Sequence, residues 1–213
     1  MMEPGFTTPE FFPALVELLR WRRDVRRFLR DEIAEDEVLE LLRVAQFAPS
    51  VGLSQPWRFV RVRSAAARAA ARENFERCNA EALDGYAGED AALYAKLKLS
   101  GLDDAPVQLA VFCDPECTTG RGLGRRTMPE AAEYSVVTAV HTLWLAARAR
   151  GIGMGWVSIL DPQAIAVTLS VPEGWRLVAY LCLGRPVEAH LDPELERLGW
   201  EQRQKLEDVL IER

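Results

Sequence analysis

From Pro129 to about Arg150 the apolar positions Val136, Val137, Val140, Leu143, Trp144 and Ala147 recur three and four residues apart. A helix apolar over so much of its girth has to sit at the centre of a core or in an interface between chains. His141, in the middle of it, is expected to be buried and hydrogen-bonded rather than a base. Around this helix the strand signals come singly: Trp57 to Arg63, Val107 to Cys113, Met154 to Leu160 and Trp175 to Leu183. Helical signals separate them. One opens at Thr8-Pro9 and carries Phe11, Leu15, Leu18 and Leu19; others run from Ala34 to Ala48, from the cap Ser64 to about Ala82, from Glu89 to about Leu99, and from Asp161-Pro162 to about Leu169. Single strands between helices describe an α+β domain with one central sheet and helices packed over it. No repeat or internal boundary interrupts it, so residues 1–213 read as one domain. The segment from about 70 to 100 has the look of a lid, and a polar tail starts near Pro186, where Val209-Leu210-Ile211 could add a strand elsewhere.

The charge distribution is uneven. The chain carries a formal net charge of −6, yet Arg20, Arg22, Arg23, Arg26, Arg27 and Arg30 stand within eleven residues against one acid, Asp24. Arginine clasps a phosphate with two parallel hydrogen bonds, so this cluster asks for an anionic partner. The lone carboxylate, if buried there, would be held ionised by its neighbours and aimed at whatever the arginines bind. The plainer alternative is a helix C-terminus whose cations complement the macrodipole, with Asp24 as an ion-pair partner.

Two further stretches have ligand-cradling character. Ser50-Val51-Gly52 is followed by Gln55, which offers both donor and acceptor, and Gly153-Met154-Gly155-Trp156-Val157-Ser158 sets glycines around a strand ending in a hydroxyl. GxGxxG before a helix, the phosphate-binding GxxxxGK[ST] loop, GxSxG and HExxH do not occur. Four scattered cysteines and two histidines make a structural zinc site improbable and suit a reduced setting. The acidic balance argues against general nucleic-acid binding, no apolar run is long enough to span a membrane, and Met1 to Pro9 lacks the basic-then-apolar pattern of a signal. A cytoplasmic protein is expected.

Taken together, Arg22-Arg23-x-Val25-Arg26, Ala48-Pro49-Ser50 with Gln55-Pro56-Trp57, and Gly153-x-Gly155-Trp156 resemble the flavin-binding nitroreductase superfamily, from about Phe11 to Arg203. Within it, Arg22-Arg23-Asp24-Val25-Arg26, the run Ala48 to Trp57, Leu143 to Ala149, Gly155-Trp156-Val157-Ser158 and Leu181-Cys182-Leu183-Gly184 are similar to the branch of 5,6-dimethylbenzimidazole synthases. Asp24 discriminates, because ordinary nitroreductases usually carry serine there.

The resemblance implies a nitroreductase-like α+β fold with a mixed, mainly antiparallel sheet, and a homodimer with FMN at the interface and both chains contributing to each site. By the match, Arg22, Arg23 and Arg26 hold the phosphate and ribityl end, with Arg203 from the tail. Asp24 and Val25 belong to the same site; Ser50, Val51, Gly52, Gln55, Trp156, Val157 and Ser158 contact the ring or ribityl chain; Lys98 and Leu99 close the lid. The implied reaction consumes its flavin. Reduced FMN and dioxygen (O2) give 5,6-dimethylbenzimidazole, the lower ligand of vitamin B12, and erythrose 4-phosphate. Asp24 would act as proton acceptor beside the ribityl carbons and Ser158 near the ring, with no metal. A separate NAD(P)H flavin reductase would supply the reduced flavin. The alternatives are an NAD(P)H-dependent nitro or flavin reductase that retains FMN, and a module that binds flavin without chemistry.

Overall fold

The computed structural model describes residues 8–213. The stretch Met1 to Thr7, which carries most of the sequence read for a targeting signal, lies outside the described residues. Helix α1 is Phe11–Trp21 and α2 is Glu35–Ala45; strand β1 is Trp57–Arg61. Helices α3 (Ala65–Leu83) and α4 (Gly88–Tyr94) precede β2 (Val107–Cys113), and α5 (Ala131–Ala149) precedes β3 (Gly153–Val157). Helix α6 is Pro162–Thr168, β4 is Arg176–Gly184, and two short helices close the chain, α7 (Glu194–Arg197) and α8 (Leu206–Val209).

The four strands form one sheet in the order β1-β2-β4-β3, antiparallel throughout. Among the described residues its one parallel component is an isolated bridge between Asp24 and Met154, which lays the segment after α1 along β3. Every residue of β2 is buried, because both faces of the sheet are covered. Leu109, Val111 and Cys113 point with Leu181 and Leu183 toward α2 and α5, while Ala110 and Phe112 point with Tyr180 and Cys182 toward α3 and α6. A register shift between Val111 and Phe112 in the pairing with β4 marks a bulge. Helix α5 lies across the first face, with Val136, Ala139, Val140, Leu143 and Ala147 at zero exposure. Removing the Leu143 side chain there would cost about 2–5 kcal/mol through lost transfer energy and a residual cavity.

Not all of α5 faces the core. Tyr134 is 58% exposed, Val137 is 40% exposed and His141 also faces out, so His141 is not the buried histidine its apolar surroundings suggested, nor is Val137 a core residue within one chain. These three lie at helical spacing on the outer flank of α5. Apolar periodicity marks a face to be covered and cannot tell cover by the same chain from cover by another.

Two other boundaries differ from expectation. Helix α4 ends at Tyr94, well short of Leu99. Lys96-Leu97-Lys98-Leu99 alternates with period two, the pattern of extended chain. Val209 closes the short α8, and Leu210 and Ile211 are exposed and add no strand to this sheet.

Candidate functional site

The segment from Arg22 to Arg30 is an extended arm fastened along the edge of the sheet. Its backbone bonds are Val25 N to Met154 O at 3.0 Å, Leu29 N to Arg185 O at 2.8 Å and Val187 N to Arg27 O at 3.1 Å. Phe28, buried beneath it, packs against Gly101 and Gly184. The arm passes so close to β3 that a Cβ at Gly155 would collide with the Val25 carbonyl, and one at Gly153 would meet the Val25 side chain. These glycines therefore make room for the arm. That is a packing role, where the sequence suggested a ligand cradle.

Asp24 is locked by this geometry. Its Oδ1 accepts from the Trp156 backbone N–H at 2.9 Å and its Oδ2 from Arg26 Nε at 2.7 Å. Arg26 also donates to the carbonyl of Lys98 at 2.9 Å, so residue 98 reaches the arm across the chain. The carboxylate is 29% exposed, fixed in orientation yet open to a ligand on one side.

The arginines divide into two groups. Arg26, Arg27 and Arg30 are paired with carboxylates: Asp24, Glu194 at 2.7 Å and Asp104 at 2.9 Å. The Glu194 bond holds Arg27 above its ordinary value. Among the described residues, Arg20, Arg22, Arg23 and Arg203 form no ion pair, and all four line one cleft between α1 and the tail, with Leu191, Asp192, Pro193 and Glu196. Arg22 lies 4.8 Å over the Trp144 ring, and Arg23 donates to the carbonyls of Leu191 and Arg22. Burial pulls Arg22 below the ordinary guanidinium value; Asp24 opposes that pull and Arg203 reinforces it. Burial lowers Arg23 too, with Arg22 and Arg203 acting the same way. Glu196 and Asp192, which line the same cleft, oppose that lowering of Arg23 without pairing to it, so four cations face two carboxylates and the surplus positive charge suits a multiply charged anion.

A second candidate region sits at the other end of α5. The loop after α2 is docked by Val51 N to Ser135 Oγ at 3.0 Å and by Thr138 Oγ1 to the Pro49 carbonyl at 2.8 Å. Inside it, Gln55 N donates to Ser50 Oγ at 3.1 Å. Gly52, Leu53 and Gln55 all have left-handed backbone, with φ of 56°, 55° and 47°. A Cβ at Gly52 would stand 2.8 Å from the Leu123 carbonyl, because this loop interlocks with the one before α5. Leu53 is 71% exposed and Phe47 84%.

A nitroreductase family model matches residues 19–185. The chain belongs to the nitroreductase family. It is 57% identical over 195 residues to a protein of Rhodospirillum rubrum named 5,6-dimethylbenzimidazole synthase, covering 92% of each chain. A protein of the same name from Rhodobacter capsulatus is 50% identical, with 89% of this chain and 91% of that one covered. Among solved structures, an iodotyrosine deiodinase bound to FMN and 3-iodo-L-tyrosine superposes with a TM-score of 0.70 at 25% identity, covering 83% of this chain and 91% of that chain.

Of the residues singled out from sequence, this family member brings Arg22, Arg23, Asp24, Val25, Arg26, Lys98, Trp156 and Arg203 around the arm. Leu99 adjoins Lys98, half-buried. Val157 faces down into the core beside Ile165 and Tyr180. Ser158 lies just past the end of β3 with its side chain exposed. Ser50, Val51, Gly52 and Gln55 are not brought to the arm. Their anchors Thr138 and Ser135 lie about 1.7 and 2.5 helical turns from Trp144, which adjoins the arm and donates to the Arg23 carbonyl at 3.3 Å. Two contributors escaped sequence reasoning. Trp144 carries Arg22 and packs 6.5 Å from Trp156, and its one signal was a bulky aromatic amid aliphatic residues. Glu194 neutralises Arg27 from 167 residues away, which no local pattern reports. The buried Cys113 thiol is pushed up to about 11 by burial, so it stays protonated and unreactive near neutrality. Among the described residues no group of histidines, cysteines and acids is placed to hold a metal, and no helix is long and apolar enough to cross a membrane.

Proposed function

We propose that the chain is a 5,6-dimethylbenzimidazole synthase that consumes reduced FMN and dioxygen, releasing the benzimidazole and erythrose 4-phosphate. The observation that carries this reading is Asp24, a carboxylate fixed between a β3 amide and Arg26, felt by Arg22 and lining with Arg23 the pocket next to the cleft of Arg20, Arg22, Arg23 and Arg203. The names of the relatives give it its direction. The cleft fits the group proposed for it: a flavin phosphate is a dianion, and Arg20, Arg22, Arg23 and Arg203, none of them ion-paired, outnumber the two carboxylates of the lining, Asp192 and Glu196.

In this reading Arg22, Arg23 and Arg203 hold the phosphate and Arg26 holds Asp24. The phosphate fixes the ribityl chain along the arm, where the outer side of Asp24 takes a proton from a ribityl hydroxyl. Reduced flavin supplies the electrons that activate dioxygen and the ring carbons of the product. Ser158 offers a hydroxyl near the ring, and the segment around Lys98 and Leu99 closes over the site to keep water out. The ring is held by Ser50, Val51, Gly52 and Gln55 of a second copy, since the loop and the arm of one chain lie apart. The exposed stripe of Tyr134, Val137 and His141 supplies the dimer contact. A separate NAD(P)H-dependent reductase delivers the reduced flavin in the cytoplasm.

The decisive test mixes chemically reduced FMN with excess protein in air, without NAD(P)H, and identifies products by mass. Dimethylbenzimidazole should appear as flavin disappears. Flavin reoxidised and recovered intact would reject the synthase in favour of a reductase or a binding module.

A further inference from the structure

Arg203 belongs to a tail that has little of its own to hold it. Every residue from Glu201 to Arg213 is exposed, and the one short helix there, α8, begins after Arg203. Yet Arg203 stands close enough to Arg22 and Arg23 to be felt by both, and lines the same cleft. Something upstream must fix it. Three residues before it, Trp200 packs edge-on against Tyr86 at 5.5 Å and Tyr94 at 6.1 Å, and those two rings stack on each other at 4.9 Å. Tyr94 is buried and its hydroxyl donates to Asn79 Oδ1 at 2.8 Å, so the cluster is rooted in α3 and α4. The Trp200 backbone N–H donates to the Leu195 carbonyl at 2.9 Å, and the Arg203 N–H donates to Glu196 Oε1 at 3.0 Å. Three residues of chain reach at most about 10 Å. With Trp200 seated, the tail cannot carry Arg203 far from the cleft.

We propose that Trp200 is a positioning residue for phosphate recognition: its seat on Tyr86 and Tyr94 of the α3–α4 segment holds Arg203 against Arg22 and Arg23. This rests on the reading of that cleft as the flavin phosphate site. It adds that one wall of the cleft is set from the α3–α4 segment, so that the stretch read as the lid would also present the cation that grips the phosphate.

The test compares oxidised FMN with riboflavin, which has the same ring and ribityl chain and no phosphate. Binding is read by quenching of flavin fluorescence on the full chain. Trp200→Ala should weaken FMN about tenfold, the loss of one charge-assisted contact, and leave riboflavin unchanged. Arg203→Ala should do the same, and Trp200→Ala with Arg203→Ala together should be no worse than either alone. Tyr86→Ala removes the seat from the other side, at a residue already 39% exposed, and should reproduce the loss; Trp200→Phe should restore most of it. Equal weakening of both flavins by Trp200→Ala and Tyr86→Ala would make the cluster merely structural and overturn the proposal, as would no change in either. Arg22→Ala separates the two layers. If it leaves the preference for FMN intact, the cleft is not the phosphate site. If it lowers that preference while the Trp200 and Tyr86 variants do not, only the positioning role fails.

Discussion

The two ends of α5 present opposite solutions to holding a ligand. At the Trp144 end the arm is finished within one chain: its backbone is bonded to β3 and to the segment after β4, Phe28 is buried, and both oxygens of Asp24 are engaged. At the Ser135 end the Ser50–Gln55 loop is anchored from behind but unfinished in front, with three left-handed residues and the exposed side chains of Leu53 and Phe47. Backbone strain persists where surroundings over-determine it; behind the loop Gly52 is packed on Leu123, while in front Leu53 and Phe47 face solvent. The difference teaches that the arm is a preorganised electrostatic site, whereas the loop is open in front, as the proposed assembly of two copies requires.

The largest expected effect falls on the finished end. Asn in place of Asp24 keeps the acceptor for the Trp156 N–H but can no longer take a proton. Asp24→Asn should therefore bind FMN within a few-fold of the native chain while benzimidazole formation falls by about a hundredfold or more. Flavin loss and product mass measured side by side decide it. Retained turnover would remove Asp24 from the chemistry.

The next effect tests whether the two ends belong to one site across two chains. Asp24→Asn and Gln55→Leu chains, each impaired alone, are co-expressed so that mixed dimers form. If each site takes its arm from one chain and its loop from the other, a mixed dimer has one site with both native parts. Statistical mixing then returns about a quarter of native activity. If arm and loop of the same chain share a site, no mixing restores anything, and the comparison drawn here fails.

These two ends were not equally legible in the sequence. The arginine density and its single acid could be read directly, because a local run of like charge inside an acidic chain has few solvated explanations. Strand β2 was equally clear, since seven residues buried on both faces, six of them apolar, leave little periodicity to misread. Gly153 and Gly155 were visible but misassigned: the neighbour that crowds them, Val25, is 128 and 130 residues away, and only the folded arm reveals it. His141 failed for a related reason, because an apolar pattern reports that a helix face is covered without reporting by whom. The pairing of Glu194 with Arg27 had no sequence signal at all.

A smaller effect probes how tightly the arm is fitted. Gly155→Ala places a methyl group on the Val25 carbonyl, so the arm has to lift from β3 or the strand has to bend. The cost should be about 1–3 kcal/mol in urea unfolding, typical of overpacking, with FMN affinity falling in parallel because Asp24 and the arginines ride on the arm. The same change at Gly88, where a Cβ meets nothing but φ is 59°, controls for backbone strain alone. Equal loss of flavin affinity in both variants would mean that the close fit of arm to β3 is not what organises the site.

The smallest effect concerns Leu53, whose φ of 55° costs a leucine about 1–2 kcal/mol and whose side chain is 71% exposed in the single chain. Glycine relieves the strain and loses part of the gain to the entropy of the unfolded chain. In a background held monomeric by Val137→Asp, Leu53→Gly should therefore stabilise by a few tenths to about 1 kcal/mol. If two copies assemble as proposed and the second covers the Leu53 side chain, the sign should reverse in the assembled protein, because that burial is lost. Urea unfolding of both pairs at one protein concentration reads the two signs. The same sign in both backgrounds would mean that the loop is as complete in one chain as the arm is.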